Sequence, residues 1–323
     1  MKLRNPGQTL SVQTVGIPRA LLYHRYGTLW TVFLEQLGLT CVLSPETDRH
    51  IVERGSKYSI DESCLSSKIF LGHVDALIGS CDAIFVPRIA NYGPYCDMCT
   101  KFHALPDLVR HTFREQEPCI LDLEVDVTHD KPEKPAFFTL ALQLGKTKKE
   151  AAHAWNAACK AQENEEKQRA KKLVKAAKQK DGLKILLVGH PYVLRDDYLG
   201  TQPARILREL GAQVLFADDM NRSDARKACR SFSHMIPWMI SRELIGAVLS
   251  LKDSVDGIVL LTAFPCGPDS MMNEMLMRRV KDKPIVQLTL DVQDGTAGLE
   301  TRLESFFDIL HYKKEGGYGS NRS

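Results

Sequence analysis

DGIVLLTAFPCGPDSMM, residues 256–272, decides the fold. Ile258, Val259, Leu260 and Leu261 form an unbroken apolar run of the kind found in a strand covered on both faces of a parallel sheet. Pro265, Gly267 and Pro268 then fix a turn. A helix is predicted to follow, with Pro268 at its first position and Asp269 and Glu274 near its positive end. Met271, Met272, Met275 and Leu276 recur with helical spacing. Cys266 stands at the junction, where a doubly wound sheet opens towards ligands and a helix N-terminus favours the thiolate. A lone cysteine in such a place reads more readily as a buried structural residue.

The same architecture is written twice. GIPRALLYHRYGTLWTVFLEQLG at 16–38 and GHPYVLRDDYLGTQPARILRELG at 189–211 share Gly16/Gly189, Gly27/Gly200, Gly38/Gly211 and Pro18/Pro191 at one constant offset. Each reads as a strand end, a loop and a helix stopped by glycine. Further on, Asp82-Ala83-Ile84-Phe85-Val86 parallels Asp256-Gly257-Ile258-Val259-Leu260, and Pro118-Cys119-Ile120-Leu121 parallels Pro284-Ile285-Val286-Gln287.

In the first half, strands are predicted over 12–17, 40–43, 83–86 and 119–123, with helices over 27–37, 61–78 and 105–113. The expected fold is α/β: two similar doubly wound, flavodoxin- or Rossmann-like lobes with parallel sheets. Residues 1–130 and 182–323 form the lobes, and 131–181, rich in Ala, Lys, Glu and Gln between 146 and 181, forms a helical connector. The tail after Tyr312 is expected to fray.

At 323 residues, 44% of them hydrophobic, the chain can bury two cores. Its net charge of +3, from 43 basic and 40 acidic residues, gives no reason to expect nucleic acid. No stretch suggests a membrane span and the N-terminus lacks a signal-peptide core, so a cytoplasmic protein is expected. Its nine cysteines should then be reduced thiols suited to metal or redox chemistry. Cys41, Cys81, Cys119, Cys159 and Cys229 fall within or beside apolar runs or on helices and are assigned to packing. Cys64, Cys96, Cys99 and Cys266 remain.

Cys96 and Cys99 form a CxxC pair after the third strand of lobe one, as Cys266 follows the third strand of lobe two. Both segments should emerge at carboxyl edges, and two such edges can face one cleft. Cys64, opening the helix that feeds lobe one's third strand, belongs at the amino edge unless the loop before it reaches over. Thiolates from separate segments suit an iron-sulfur cluster, and zinc can use the same four thiols.

Several motifs together resemble the acyl-CoA dehydratase activase-related proteins, kin of 2-hydroxyacyl-CoA dehydratase subunits and double-cubane cluster reductases. They are Gly16-Ile17-Pro18-Arg19-Ala20-Leu21, Asp61-Glu62-Ser63-Cys64 with Lys68 and Gly72-His73-Val74, and Phe85-Val86-Pro87-Arg88. Cys99 with Lys101-Phe102 and Leu105-Pro106-Asp107, the run from Phe264 to Ser270, and Thr296-Ala297-Gly298 leading into Thr301-Arg302-Leu303-Glu304 complete the set.

The resemblance implies an iron-sulfur cluster, [4Fe-4S] or a larger double-cubane type, held by Cys64, Cys99 and Cys266. It implies an activase-type ATPase as electron donor and an acyl-CoA or other small-molecule acceptor, and it leaves room for a homodimer or paired subunit. Two positions depart from the family pattern: Ser66 and Ser67 stand where a proline follows the first cysteine, and Thr100 where one follows the second. Cys96 is extra and could be a fourth ligand, which would favour electron transfer over substrate chemistry.

Rival readings are a cluster carrier without its own substrate and a zinc-stabilised or metal-free α/β binding protein. Gly295, Thr296 and Gly298 could hold an anion at a helix start, although a simple cap is the commoner reading. Arg19, His24, Arg88, His190 and Arg195 lie near strand ends without earning a catalytic role. His73 reads as a packing or capping residue. Neither a Walker A sequence nor Gly-x-Gly-x-x-Gly follows a strand, so no intrinsic ATPase is expected.

Overall fold

Short runs of buried aliphatic residues make the two main sheets. In the computed structural model, which describes residues 12–179, 182–292 and 296–315, the chain divides into two compact units. Residues up to Asp61, Ser67–Glu165 and Pro237–Met239 form the first; Glu62–Ser66, Glu166–Ile236 and the residues from Ile240 onward form the second. The chain is an α/β protein of two doubly wound lobes with parallel sheets.

The first half runs β1 (Thr14–Ile17), α1 (Tyr23–Gln36), β2 (Thr40–Leu43), α2 (Arg49–Lys57), α3 (Leu65–Leu77), β3 (Ala83–Phe85), β4 (Arg88–Asn91), α4 (Thr100–Thr112), β5 (Ile120–Leu121), β6 (Glu124–Asp126) and α5 (Glu133–Gln143). Its main sheet has the order β2-β1-β3-β5, every pair parallel. β4 and β6 form a small second parallel sheet where the sequence reads as a polar connection. Arg88-Ile89-Ala90-Asn91 is too short and polar to announce a strand. Phe137 of α5 packs edge-on against Phe33 of α1, ring centroids 4.8 Å apart, which buries this helix in the first unit's core.

The long helix α6 (Lys148–Lys178) follows, and the division between units falls inside it, between Glu165 and Glu166. Then come β7 (Leu183–Val188), α7 (Pro191–Leu194), α8 (Thr201–Glu209), β8 (Ala212–Phe216), α9 (Arg222–Cys229), α10 (Met239–Leu251), β9 (Gly257–Ala263), α11 (Gly267–Arg279), β10 (Ile285–Leu290) and α12 (Thr296–Lys314). The second sheet has the order β10-β9-β7-β8, also parallel throughout. Ile185, Leu186, Leu187 and Val188 in β7 and Ile258, Val259, Leu260 and Leu261 in β9 are fully buried, as unbroken apolar runs demand.

Read from its second strand, each main sheet has the same order, so the sequence duplication is a duplication of topology. Equivalent aspartates close each sheet at the start of its first strand. Asp82 accepts the Thr14 N–H at 2.8 Å and returns its own N–H to the Thr14 carbonyl. Asp256 does the same with Lys184, at 2.8 Å in both directions. Gly38 and Gly211 end α1 and α8 at φ of +80° and +95°, which residues with a Cβ adopt at a cost.

No helix among the described residues is long and apolar enough to cross a membrane. The N-terminal segment to residue 11, Gly295 and the tail beyond residue 315 lie outside the described residues.

Candidate functional site

Cys64, Cys99 and Cys266 each stand immediately before the first residue of a 13-residue helix: α3, α4 and α11. Backbone turns fix two of these junctions. Phe102 donates its N–H to the Cys99 carbonyl at 2.9 Å, and Ser270 donates its N–H at 3.1 Å and its hydroxyl at 2.7 Å to the Cys266 carbonyl. The sequence predicts α3 from Asp61 and α4 from Leu105; they begin instead at Leu65 and Thr100. Pro106 suggests a helix start, but it lies within α4. Hence the capping place of Cys99 was hidden.

Cys64 does not stay at the amino edge. Leu65, its neighbour, donates its N–H to the Phe264 carbonyl at 2.8 Å. Phe264 lies just past the carboxyl end of β9 and two residues before Cys266. The segment Glu62–Ser66 accordingly clusters with the second unit, while the rest of α3 clusters with the first.

Cys99 and Cys96 belong to the first unit. Cys96 closes a turn in which its N–H bonds the Gly93 carbonyl and its carbonyl accepts from Tyr92, both at 3.0 Å. Asp97 between them donates to the Pro237 carbonyl and accepts from Met239, each at 3.0 Å, so the CxxC segment is held by its backbone. All four thiols are half-buried and unbridged.

Two residues beside Cys266 were not foreseen as site residues. Ring, sulfur and carboxylate donors of His190, Cys266 and Asp269 lie within 4.8 Å of one another. His190 Nδ1 is 2.9 Å from Asp269 Oδ1, and the two side chains are 4% and 0% exposed. That distance is within ion-pair reach, yet Nδ1 and both carboxylate oxygens make no aligned hydrogen bond and are sealed from solvent.

The frame explains the approach. A Cβ on Gly189 would lie 2.7 Å from the Leu261 carbonyl, so only glycine lets the end of β7 press against β9. His190 then caps α7, accepting the N–H groups of Val193 and Leu194 at 2.8 and 3.0 Å. α11 starts at Gly267, one residue before the expected Pro268. Its buried face is Asp269, Met272, Asn273 and Leu276; Met271, expected in the stripe, is 54% exposed. Asn273 ties that face to β9 through Thr262 at 2.9 Å. The helical spacing of Asp269 with Met272 and Leu276 was the sequence signal that the carboxylate faces inward.

Burial sets four other cysteines apart. Desolvation pushes the thiols of Cys41, Cys81, Cys159 and Cys229 up, Cys41 to about 12, which disfavours the thiolate a metal needs. The remaining candidates are engaged structurally. Arg195 binds Asp218 at 2.8 and 3.0 Å and Asp219 at 2.6 Å, and Arg169 of α6 grips both aspartates at 2.6 Å. Arg88 is held by Asp107 at 2.8 Å and the His103 carbonyl at 2.5 Å. Arg19 pairs with Glu46 at 3.6 Å. His73 is fully buried with Ser44 on Nδ1 at 2.8 Å and Thr47 on Nε2 at 2.9 Å, a packed histidine with both nitrogens occupied.

Comparison with known proteins adds one assignment. The family model described as the CoA enzyme activase uncharacterised domain matches residues 14–220, more than half of the chain. No curated protein matches it.

Proposed function

We propose, from the premise that the chain belongs to the CoA enzyme activase uncharacterised domain family, that it is the cluster-bearing component of an ATP-driven reductase or dehydratase system. Cys64, Cys99 and Cys266 hold an iron-sulfur cluster, [4Fe-4S] or a larger double-cubane type, and a separate activase-type ATPase delivers the electron. When bound, such a cluster supplies a low-potential one-electron carrier whose open iron can bind a small acceptor such as an acyl thioester.

The observation that carries this reading is the Leu65 to Phe264 hydrogen bond, which brings the residue after Cys64 to the strand end that bears Cys266. The donor set fits the group in kind. Each of the three cysteines stands at the N-terminus of a helix, the end whose dipole favours an anion. Burial withholds Cys41, Cys81, Cys159 and Cys229 from that role. Ser66 and Thr100 occupy the first two turns of α3 and α4 without proline, so the departures from the family pattern leave both helix starts intact.

The chain's own residues fix the segments that carry the ligands. Leu65 and Phe102 are buried beside the cysteines, and the Asp97 backbone pins the CxxC turn. Absorption and electron paramagnetic resonance spectra of anaerobically purified protein, before and after reduction, test the reading. A brown protein with a reducible cluster signal supports it, and a colourless one after reconstitution with iron and sulfide refutes it.

Cys96 supports a second reading, a cluster carrier without its own substrate. Its closed turn sets it three residues before Cys99 with the thiol half-exposed. A fourth thiolate would fill the open iron position. Loss of the cluster on Cys96→Ala would favour this reading.

A further inference from the structure

We propose that His190, Cys266 and Asp269 form a site for a single divalent transition-metal ion, with a ring nitrogen, the thiolate sulfur and a carboxylate oxygen as donors. One donor atom of each lies within 4.8 Å of the other two. Such a mixed set suits zinc and its first-row neighbours, and three protein donors leave a fourth position for water or a ligand.

Asp269 supplies the independent observation. A fully buried carboxylate with no hydrogen bond to either oxygen is costly, and a cation between it and the thiolate removes that cost. The contact with His190 leaves Nδ1 and both oxygens without an aligned hydrogen bond. The scaffold is rigid on all sides: Gly189 packs against the Leu261 carbonyl, α7 fixes His190, and Asn273 ties α11 to β9. Tyr192 stacks on the His190 ring with centroids 4.9 Å apart, which further sets its plane.

This site goes beyond the cluster reading and shares only Cys266 with it. All three donors lie in the second unit. An ion bound here and a cluster therefore compete for one sulfur.

Cobalt(II) added to anaerobic, chelator-treated protein is the probe. The wild type should bind one ion per chain with a sulfur-to-cobalt charge-transfer band. His190→Gln and Asp269→Asn should each weaken binding about tenfold or more, and Cys266→Ala should abolish the band. Cys64→Ala and Cys99→Ala should bind cobalt like the wild type, which separates this site from the cluster. Unchanged affinity in both His190→Gln and Asp269→Asn would overturn the proposal, as would a band that survives Cys266→Ala or disappears with Cys64→Ala. Wild-type protein gives a check free of folding effects: zinc should slow alkylation of Cys266 tenfold or more, and an unchanged rate counts against the site. A protein that forms no cluster yet binds cobalt in this pattern would retain the site and lose the cluster reading.

Discussion

The Leu65 amide donates to the Phe264 carbonyl at 2.8 Å, joining the start of α3 to the turn after β9. Leu65 is fully buried, so this bond is shielded from water. Its amide should exchange with solvent at least about a hundredfold more slowly than that of exposed Glu62. Hydrogen exchange resolved to single residues measures this, and equal rates would mean that the loop bearing Cys64 does not rest on β9.

The part-buried cluster of Arg169, Arg195, Asp218 and Asp219 should be costly to break. Burial alone would raise the Asp218 pKa, but the Arg195 and Arg169 guanidiniums outweigh it and hold the carboxyl below its ordinary 3.8. Its stabilising contribution is therefore complete above about pH 4 and is lost as pH falls below that value. Arg195→Met should cost about 1–3 kcal/mol at pH 7, because it removes the charged hydrogen bonds to Asp218 and Asp219 and leaves both carboxylates to share Arg169. Urea unfolding checks this; a loss under 1 kcal/mol would show that water reaches the network.

His73 predicts acid sensitivity of a second kind. Desolvation lowers its pKa from 6.5 to about 3, with His24 and Arg19 adding to the effect. The folded ring stays neutral while the unfolded one gains a proton below pH 6.5. Stability is therefore complete above that pH and falls by up to about 1.4 kcal/mol per pH unit on the way down to about pH 3. Between pH 7 and pH 5 the fall from this residue should be about 2 kcal/mol. His73→Gln should be less stable at pH 7 but show a flatter profile, and identical slopes in urea titrations would contradict the assignment.

Gly189→Ala should destabilise the chain by about 1–3 kcal/mol, since the new Cβ meets the Leu261 carbonyl at 2.7 Å. Gly267→Ala is the control, because nothing lies within 4 Å of its added Cβ. Thermal unfolding of the two variants should separate clearly. Equal midpoints would show that β7 and β9 can part without loss.

Much of the architecture was legible because burial on both faces leaves an unbroken apolar run and because punctuating glycines repeat with the topology. The run at 258–261 and the Gly38/Gly211 pair carried that reading. β4 and β6 were missed because sheet pairing, rather than composition, makes strands of such short polar segments. The capping place of Cys99 was obscured by a helix read from Leu105, five residues after α4 begins at Thr100. His190 and Asp269 were not joined into one site for a different reason. Their significance lies in a close approach between β7 and β9 and in the inward turn of one helix face, neither of which adjacent letters state. Asp269 looked like an acid serving a helix dipole until its spacing with Met272 and Leu276 placed it in the core.

The most direct test of the central claim is the iron and acid-labile sulfide content of anaerobically reconstituted protein, measured for the wild type and for single alanine variants at Cys64, Cys99, Cys266, Cys41 and Cys229. The account predicts that the wild type and the last two variants retain both elements while each of the first three loses most of them. Wild-type protein that takes up no iron or sulfide, or variants at Cys64, Cys99 and Cys266 that keep a full complement, would contradict it.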